Sequence, residues 1–223
     1  MEEADGGFAL RLDGRAVRTP GKAVLAVPDA ELAEAIAGEW RGQGKEIDPA
    51  TMPLTRLANT VIDRIAGTDA GGPVIDEIVA YAGSDLLCYR AEEPEGLVTR
   101  QRAAWDPVLA WAEEALGARF VLAAGVIHIE QPPQTLENLR REIEKESDFL
   151  LGALASITNL TGSALLAIAV LRGRLSVEEA WAAAHVDEDW QIAQWGRDEE
   201  AEARRAFRWG DRQAAARMIA ALG

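Results

Sequence analysis

Between Phe149 and Leu171 the chain runs for 23 residues without a charged side chain, and no other stretch constrains the fold as much. The run is long enough to cross a bilayer. Its middle, however, reads "SITNLTGS", which would place Ser156, Thr158, Asn159, Thr161 and Ser163 in hydrocarbon, where polar groups are costly. Two buried helices joined by a tight turn fit the pattern better, with Asn159 or Thr161 capping the second.

The 223 residues allow one generous core or two small ones. An apolar content of 48% with 27% charged residues is that of a globular chain without membrane insertion. The net charge of −14 repels phosphate, which argues against nucleic acid and anionic membranes and favours partners with basic patches. Cys88 is the only cysteine, so no intramolecular disulfide forms and a reducing compartment is expected. The opening "MEEADGGF" is acidic and has no apolar run, unlike a signal or transit peptide, so a cytoplasmic location is expected.

The first third carries the strand signals. "FALRLDGRAVRTP" alternates Phe8, Leu10 and Leu12 and then offers the hairpin pair Asp13-Gly14. "AVLAVP" reads as a further short strand. Asp29 caps a helix whose Leu32, Ile36 and Trp40 share one face. "MPLTRLANTVIDRIAG" follows the helical template through Leu54, Leu57, Ala58, Val61, Ile62 and Ile65, stopping at Gly67. "GTDAGG", residues 67–72, is the candidate hinge. Beyond it come a helix over "VIDEIVAYAG", a strand "DLLCYR", a helix opened by Asp106-Pro107, and a strand over Val126 to Ile129. From Thr135 onward the pattern is helical: 135–158, 162–172, 176–185, 187–208 and 211–222, with Ser176 and Glu179 forming a capping box. The expected fold class is α+β. A β-rich N-terminal lobe with helices spans 1–66, and a predominantly helical C-terminal domain spans 67–223.

Catalytic patterns are missing from the sequence. There is no Walker-type glycine loop, dinucleotide fingerprint, nucleophile elbow or zinc-protease helix. His128 and His185 are the only histidines and, with one cysteine, do not supply a structural zinc site. His128 is expected in or beside a strand, and Cys88, between Leu87 and Tyr89, as a small buried hydrophobe.

One stretch stands out: "VDEDWQIAQWGRDEE", residues 186–200, with six carboxylates and two tryptophans. As a calcium loop it fails, because Gln191, Ile192 and Asp198 stand where the fifth ligand, the glycine and the glutamate are required. As a helix it has two stripes: Val186, Trp190, Ala193 and Ala201 on one face, Glu188, Ile192, Trp195 and Glu199 on another. A surface helix needs one apolar stripe. Either both are core, or the second faces outward as an aromatic anchor ringed by charge.

"MPLTRLANTVID", "YAGSDLLCYR", "QRAAWDPVLAW" and "WQIAQWGRDEEAEARR", in this order along the chain and with a match over nearly its whole length, resemble the assembly chaperone family of the F-type ATP synthase that binds the alpha subunit. That family occurs in mitochondria and alphaproteobacteria. The resemblance implies a non-enzymatic holdase without cofactors, working in the bacterial cytoplasm or, for eukaryotic relatives, the mitochondrial matrix. It would shield the alpha subunit until the beta subunit replaces it. The family's acidic position after its tryptophan-glycine pair falls on Glu199, and Asp198 stands where members often carry an apolar residue. The expected partner-binding residues are thus Glu199, Trp195, Glu188, Ile192 and Asp198. The residues by themselves leave two other classes open: a carboxylate-based hydrolase with its site between the lobes, or a permanent scaffold.

With no loop to cradle phosphates and 14 net negative charges opposing it, ATP is not an expected ligand. Calorimetry with Mg-ATP is expected to show no binding at millimolar concentration. A micromolar site would overturn the description of this chain as a passive binder.

Overall fold

The computed structural model describes residues 2–4, 7–67, 71–125, 127–196 and 199–223. At its centre the uncharged run folds as two helices, α6 (Asp148–Thr161) and α7 (Ala164–Leu171). Ser147 caps α6, Gly162 ends it in the left-handed region at φ 69°, and Ser163 caps α7 by accepting from Leu166 N at 3.0 Å. The cap is therefore Ser163, two residues beyond Thr161. Every residue from Ala164 to Val170 is buried. A helix apolar on all sides has to be enclosed, and here the enclosing helices come from before and after it in the chain.

The N-terminal part holds a three-stranded antiparallel sheet of β1 (Glu2–Ala4), β2 (Gly7–Ala9) and β5 (Ala26–Val27), in the order β1-β2-β5. A hairpin of β3 (Arg11–Leu12) and β4 (Arg15–Ala16) turns at Asp13-Gly14, both at positive φ. Asp29 caps α1 (Ala30–Arg41) by accepting from Leu32 N at 2.9 Å. Glu39 on α1 then caps the next helix, α2 (Pro53–Arg64), accepting from Leu54 N at 2.8 Å and Thr55 N at 2.7 Å. These bonds fill donors that a helix start leaves open.

Next come α3 (Gly71–Gly83), a 3-10 turn at Leu86–Cys88, β6 (Tyr89–Arg90), α4 (Glu95–Leu116), β7 (Ala123–Ala124) parallel to β6, and α5 (Pro133–Ile143). The chain ends with α8 (Val177–Ala184), α9 (Val186–Trp195) and α10 (Glu199–Leu222). The fold is α+β, mostly helical with short strands. Helix α10 lies across α6 and α2. Gly152 lets α2 approach α6 closely, since a Cβ there would overlap Val61. Leu10 and Leu25, each next to a strand, α2 residues Leu54 and Ala58, and Leu154 and Met218 further on belong to one buried cluster. Short strands and helices lie on both sides of residue 66, and the apolar core runs across it.

Several sequence expectations need correction. Residues 127–129 form no strand, and Ile127 is 78% exposed, so the apolar alternation there has nothing to pack against; Val126 lies outside the described residues. The expected helix 135–158 is two, because Ser147 starts a new one. Helix α4 continues through Pro107, since Trp105 and Val108 on either side are both buried and that packing outweighs the local preference. Asp106 instead accepts from Arg90 Nη2 at 2.7 Å. "DLLCYR" is a 3-10 turn followed by only two strand residues. The capping box of Ser176 and Glu179 is present as expected.

A fully buried carboxylate joins this middle segment to the core. Asp85 accepts from Leu87 N at 3.1 Å, from Ser163 Oγ at 2.7 Å and from Leu165 N at 3.0 Å. Burial pushes its pKa up to about 6, against the lowering effect of these bonds. Between the ordinary carboxylate value and about 6, the folded chain therefore holds a proton that the unfolded chain releases. Stability from this group is highest below that window, falls as pH rises through it, and is level above it. For a shift of this size the fall is on the order of 3 kcal/mol. In Asp85→Asn the slope is expected to vanish, with a loss of roughly 1–3 kcal/mol at low pH from the mismatched amide. Urea melts of both proteins from pH 4 to 7 check this, and parallel profiles would refute it.

Candidate functional site

Helix α9 begins with three acids in its first turn, Asp187, Glu188 and Asp189, where negative charge suits the helix dipole. Successive helical residues point about 100° apart, so the three acids serve three directions. Asp187 accepts from Gln101 Nε2 of α4 at 2.8 Å, and Gln101 Oε1 in turn accepts from Ala91 N at 2.8 Å. Asp189 is gripped by Arg205 of α10, at 2.5 Å and 3.4 Å to its two oxygens. Glu188 points outward with its side chain 60% exposed.

Trp190, half-buried, seats the helix on α4. Its ring occupies the space beside Gly96, where a Cβ would overlap it, and the Arg100 guanidinium stacks over it at 4.9 Å from the ring centroid. Of the first stripe of the sequence pattern, Val186 and Trp190 are half-buried and Trp190 faces the body of the protein, whereas Ala193 is exposed. The second faces away: Glu188 is exposed, Ile192 half-buried, and Trp195 is 79% exposed at the end of α9. Gly196 closes the helix at φ 89°, a conformation that disfavours any side chain. The expected helix 187–208 is therefore two helices, one ending at Trp195 and the other starting at Glu199. Its second part starts at Glu199 and passes Gly210 without a break.

Of the five residues expected to bind a partner, the structure brings Glu188, Ile192 and Trp195 onto one face of α9. Glu199 is the first residue of α10; its side chain lies outside the described residues, as does Asp198 altogether. The sequence reading missed the clasp between Asp189 and Arg205, which depends on two helices folding back on each other.

At the root of α9 sits His185, buried between α8 and α9. Nδ1 lies 2.8 Å from the Trp181 carbonyl, which only accepts, so Nδ1 carries the proton and Nε2 is left toward Glu188, 3.8 Å away. Burial holds the His185 pKa below its ordinary value; Arg205 adds to this, while the bond to Trp181 and the charges of Glu188 and Asp189 oppose it. At neutral pH the ring is uncharged. Elsewhere, Cys88 is buried as expected, and burial together with Asp85 raises its thiol to about 12, which removes it as a nucleophile. His128 is exposed, with Nδ1 3.3 Å from the Tyr89 hydroxyl. Among the described residues no group of three or more His, Cys, Asp or Glu is placed to hold a metal ion. None of the described helices is long and apolar enough to cross a membrane.

Residues 1–113 match the model of the ATP12 chaperone protein family. Among curated relatives, protein atp12, mitochondrial, of Schizosaccharomyces pombe is 27% identical over 207 residues, covering 88% of this chain and 71% of that protein. Two crystal structures are similar over nearly the full length. The Atu1473 protein of Agrobacterium tumefaciens is 46% identical with a TM-score of 0.93, covering 98% of this chain and 81% of that one. Atp12 from Paracoccus denitrificans is 41% identical with a TM-score of 0.92, covering 100% and 94%. The structural matches thus include the α9–α10 hairpin, which lies beyond the family-model match.

If Gly96 is the seat of Trp190, Gly96→Leu is expected to expel the ring. The overlap should lower stability by roughly 1–3 kcal/mol and speed amide exchange across residues 186–195, with α6 and α7 still protected. Trp190→Ala in the same chain should recover part of the loss. Unchanged exchange in α9 would show that the seat does not hold the helix.

Proposed function

This chain belongs to the ATP12 chaperone family, and we propose that it is a non-enzymatic holdase of the bacterial cytoplasm for assembly of the F-type ATP synthase. In this reading its client is the alpha subunit, shielded from aggregation until the beta subunit takes its place. The observation that carries the reading is Trp195: a tryptophan 79% exposed at the tip of a firmly seated helix, on one face with Ile192 and Glu188 and followed in sequence by Asp198 and Glu199. Burying a large aromatic side chain supplies binding energy. Glu188 on the same face and the carboxylates that follow in sequence, in a chain of net charge −14, orient and accelerate encounter with a client whose apolar surface is set among arginines or lysines. The holding step involves no bond-making, so nucleotide and metal have no part in it.

Three substitutions test this. Trp195→Ala removes the anchor; Glu199→Lys reverses a charge four residues further along the sequence; Glu199→Gln only deletes that charge. The first two are expected to weaken suppression of alpha-subunit aggregation roughly tenfold, and the third to act mainly by slowing association. The melting temperature of the Trp195→Ala protein should stay near that of the unmodified chain, because this exposed side chain contributes little to folding, and that of the Glu199→Lys protein is expected to do the same. Full protection of the alpha subunit by both variants would eliminate this surface as the client site.

A further inference from the structure

Behind Glu188, two buried side chains, His185 and Trp181, lead to a second exposed tryptophan. The Glu188 carboxylate lies 3.8 Å from His185 Nε2, the His185 and Trp181 rings are 4.1 Å apart, and Trp181 meets Trp209 of α10 edge-on at 6.3 Å. Trp209 is 39% exposed; with Trp195 it makes up the exposed tryptophans among the described residues. Arg212 fixes its ring from within, its guanidinium 3.3 Å from the ring centroid, buried, and paired with Glu178 at 3.3 Å. Trp209 is thus a rigid surface aromatic.

Arg205 and Trp209 are one turn apart on α10, and Arg205 is the residue that clasps Asp189 of α9. From that clasp, Trp195 lies six residues toward the tip and Trp209 four residues toward the base. At the helical rise per residue, the two indoles are roughly 15 Å apart along the hairpin, with Glu188 between them.

We propose that Trp209 is a second anchor of the partner surface, and that the surface receives a cationic amphipathic helix of the client. This rests on the reading of α9 given above. A helix is the fitting occupant because the backbone groups of α9 and α10 are used within their own helices, which leaves no sheet edge for strand pairing. Roughly 15 Å corresponds to about ten helical residues, so the client helix carries apolar side chains about three turns apart. Between them it carries a lysine or arginine facing Glu188, because Asp187 and Asp189 are already engaged.

The test uses the full chain and purified alpha subunit. Cys88 is buried, so a thiol-directed crosslinker can be placed at will: at Gln194→Cys beside Trp195, and at Gln213→Cys one turn beyond Trp209, both exposed positions. Capture of a single basic helical segment of the alpha subunit from both positions, at sites about thirteen residues apart, is the expected result. In parallel, Trp209→Leu should weaken alpha-subunit protection roughly tenfold. Capture from residue 194 alone, with Trp209→Leu protecting fully, overturns the second anchor and leaves the tip as client site. Capture from neither position overturns both readings. An extended or acidic captured segment overturns the helical occupant. Dimers of the free chain that Trp209→Leu dissolves would show that a second copy, not the client, covers Trp209. If Trp209→Leu melts early, the crosslinks decide.

Discussion

The middle of this chain is held to its centre by one buried carboxylate. Asp85 accepts from Leu87 N, Ser163 Oγ and Leu165 N, so it ties the 3-10 turn after α3 to the start of α7, the helix at the heart of the core. The segment so anchored leads through β6 into α4. Helix α4 in turn carries Gly96, Arg100 and Gln101, the residues against which α9 is seated. An unpaired charge in such a place would be ruinous. Three donors and the first turn of a helix make the site tolerable, and its raised pKa is the residual sign of the burial.

From that anchor outward, the α9–α10 hairpin is assembled by a division of labour among neighbouring side chains of one type. Asp187 binds α4 and Asp189 binds α10, while Glu188 between them is left to solvent. Trp190 is likewise spent on α4, and Trp195 remains uncovered. Such a helix is held stiffly on its inner face and keeps a wide apolar and acidic face free. That combination suits a chaperone, whose client must be held without being locked: the anchor supplies affinity, and the charges supply rate and orientation. Stacking of Arg212 on Trp209 extends the same principle to the base of the hairpin.

Much of the molecule was legible in the sequence wherever the governing interaction is local. The Asp13-Gly14 turn, the Asp29 cap, the Ser176–Glu179 capping box, helix α2 and the two helices inside the uncharged run all follow from residues a few positions apart. The two stripes of residues 186–195 were visible for the same reason, since helical period alone separates Trp190 from Trp195. Errors arose where distant packing overrode a local sign. Pro107 sits inside α4 because Trp105 and Val108 are both buried, and the alternation after Gly125 forms no strand because nothing covers Ile127.

The sequence by itself therefore determined the mostly helical α+β class, the family, and an acidic, tryptophan-bearing helix near the C-terminus, because periodicity, capping and composition are properties of nearby residues. Which of that helix's stripes is hidden was decided only by tertiary structure. The answer depends on a glycine some ninety positions earlier making room for the Trp190 ring, and on Arg205 of the next helix reaching back to Asp189. Pairings over such separations leave no periodic trace in a chain. They exist only once the core around α7 has brought α4, α9 and α10 side by side.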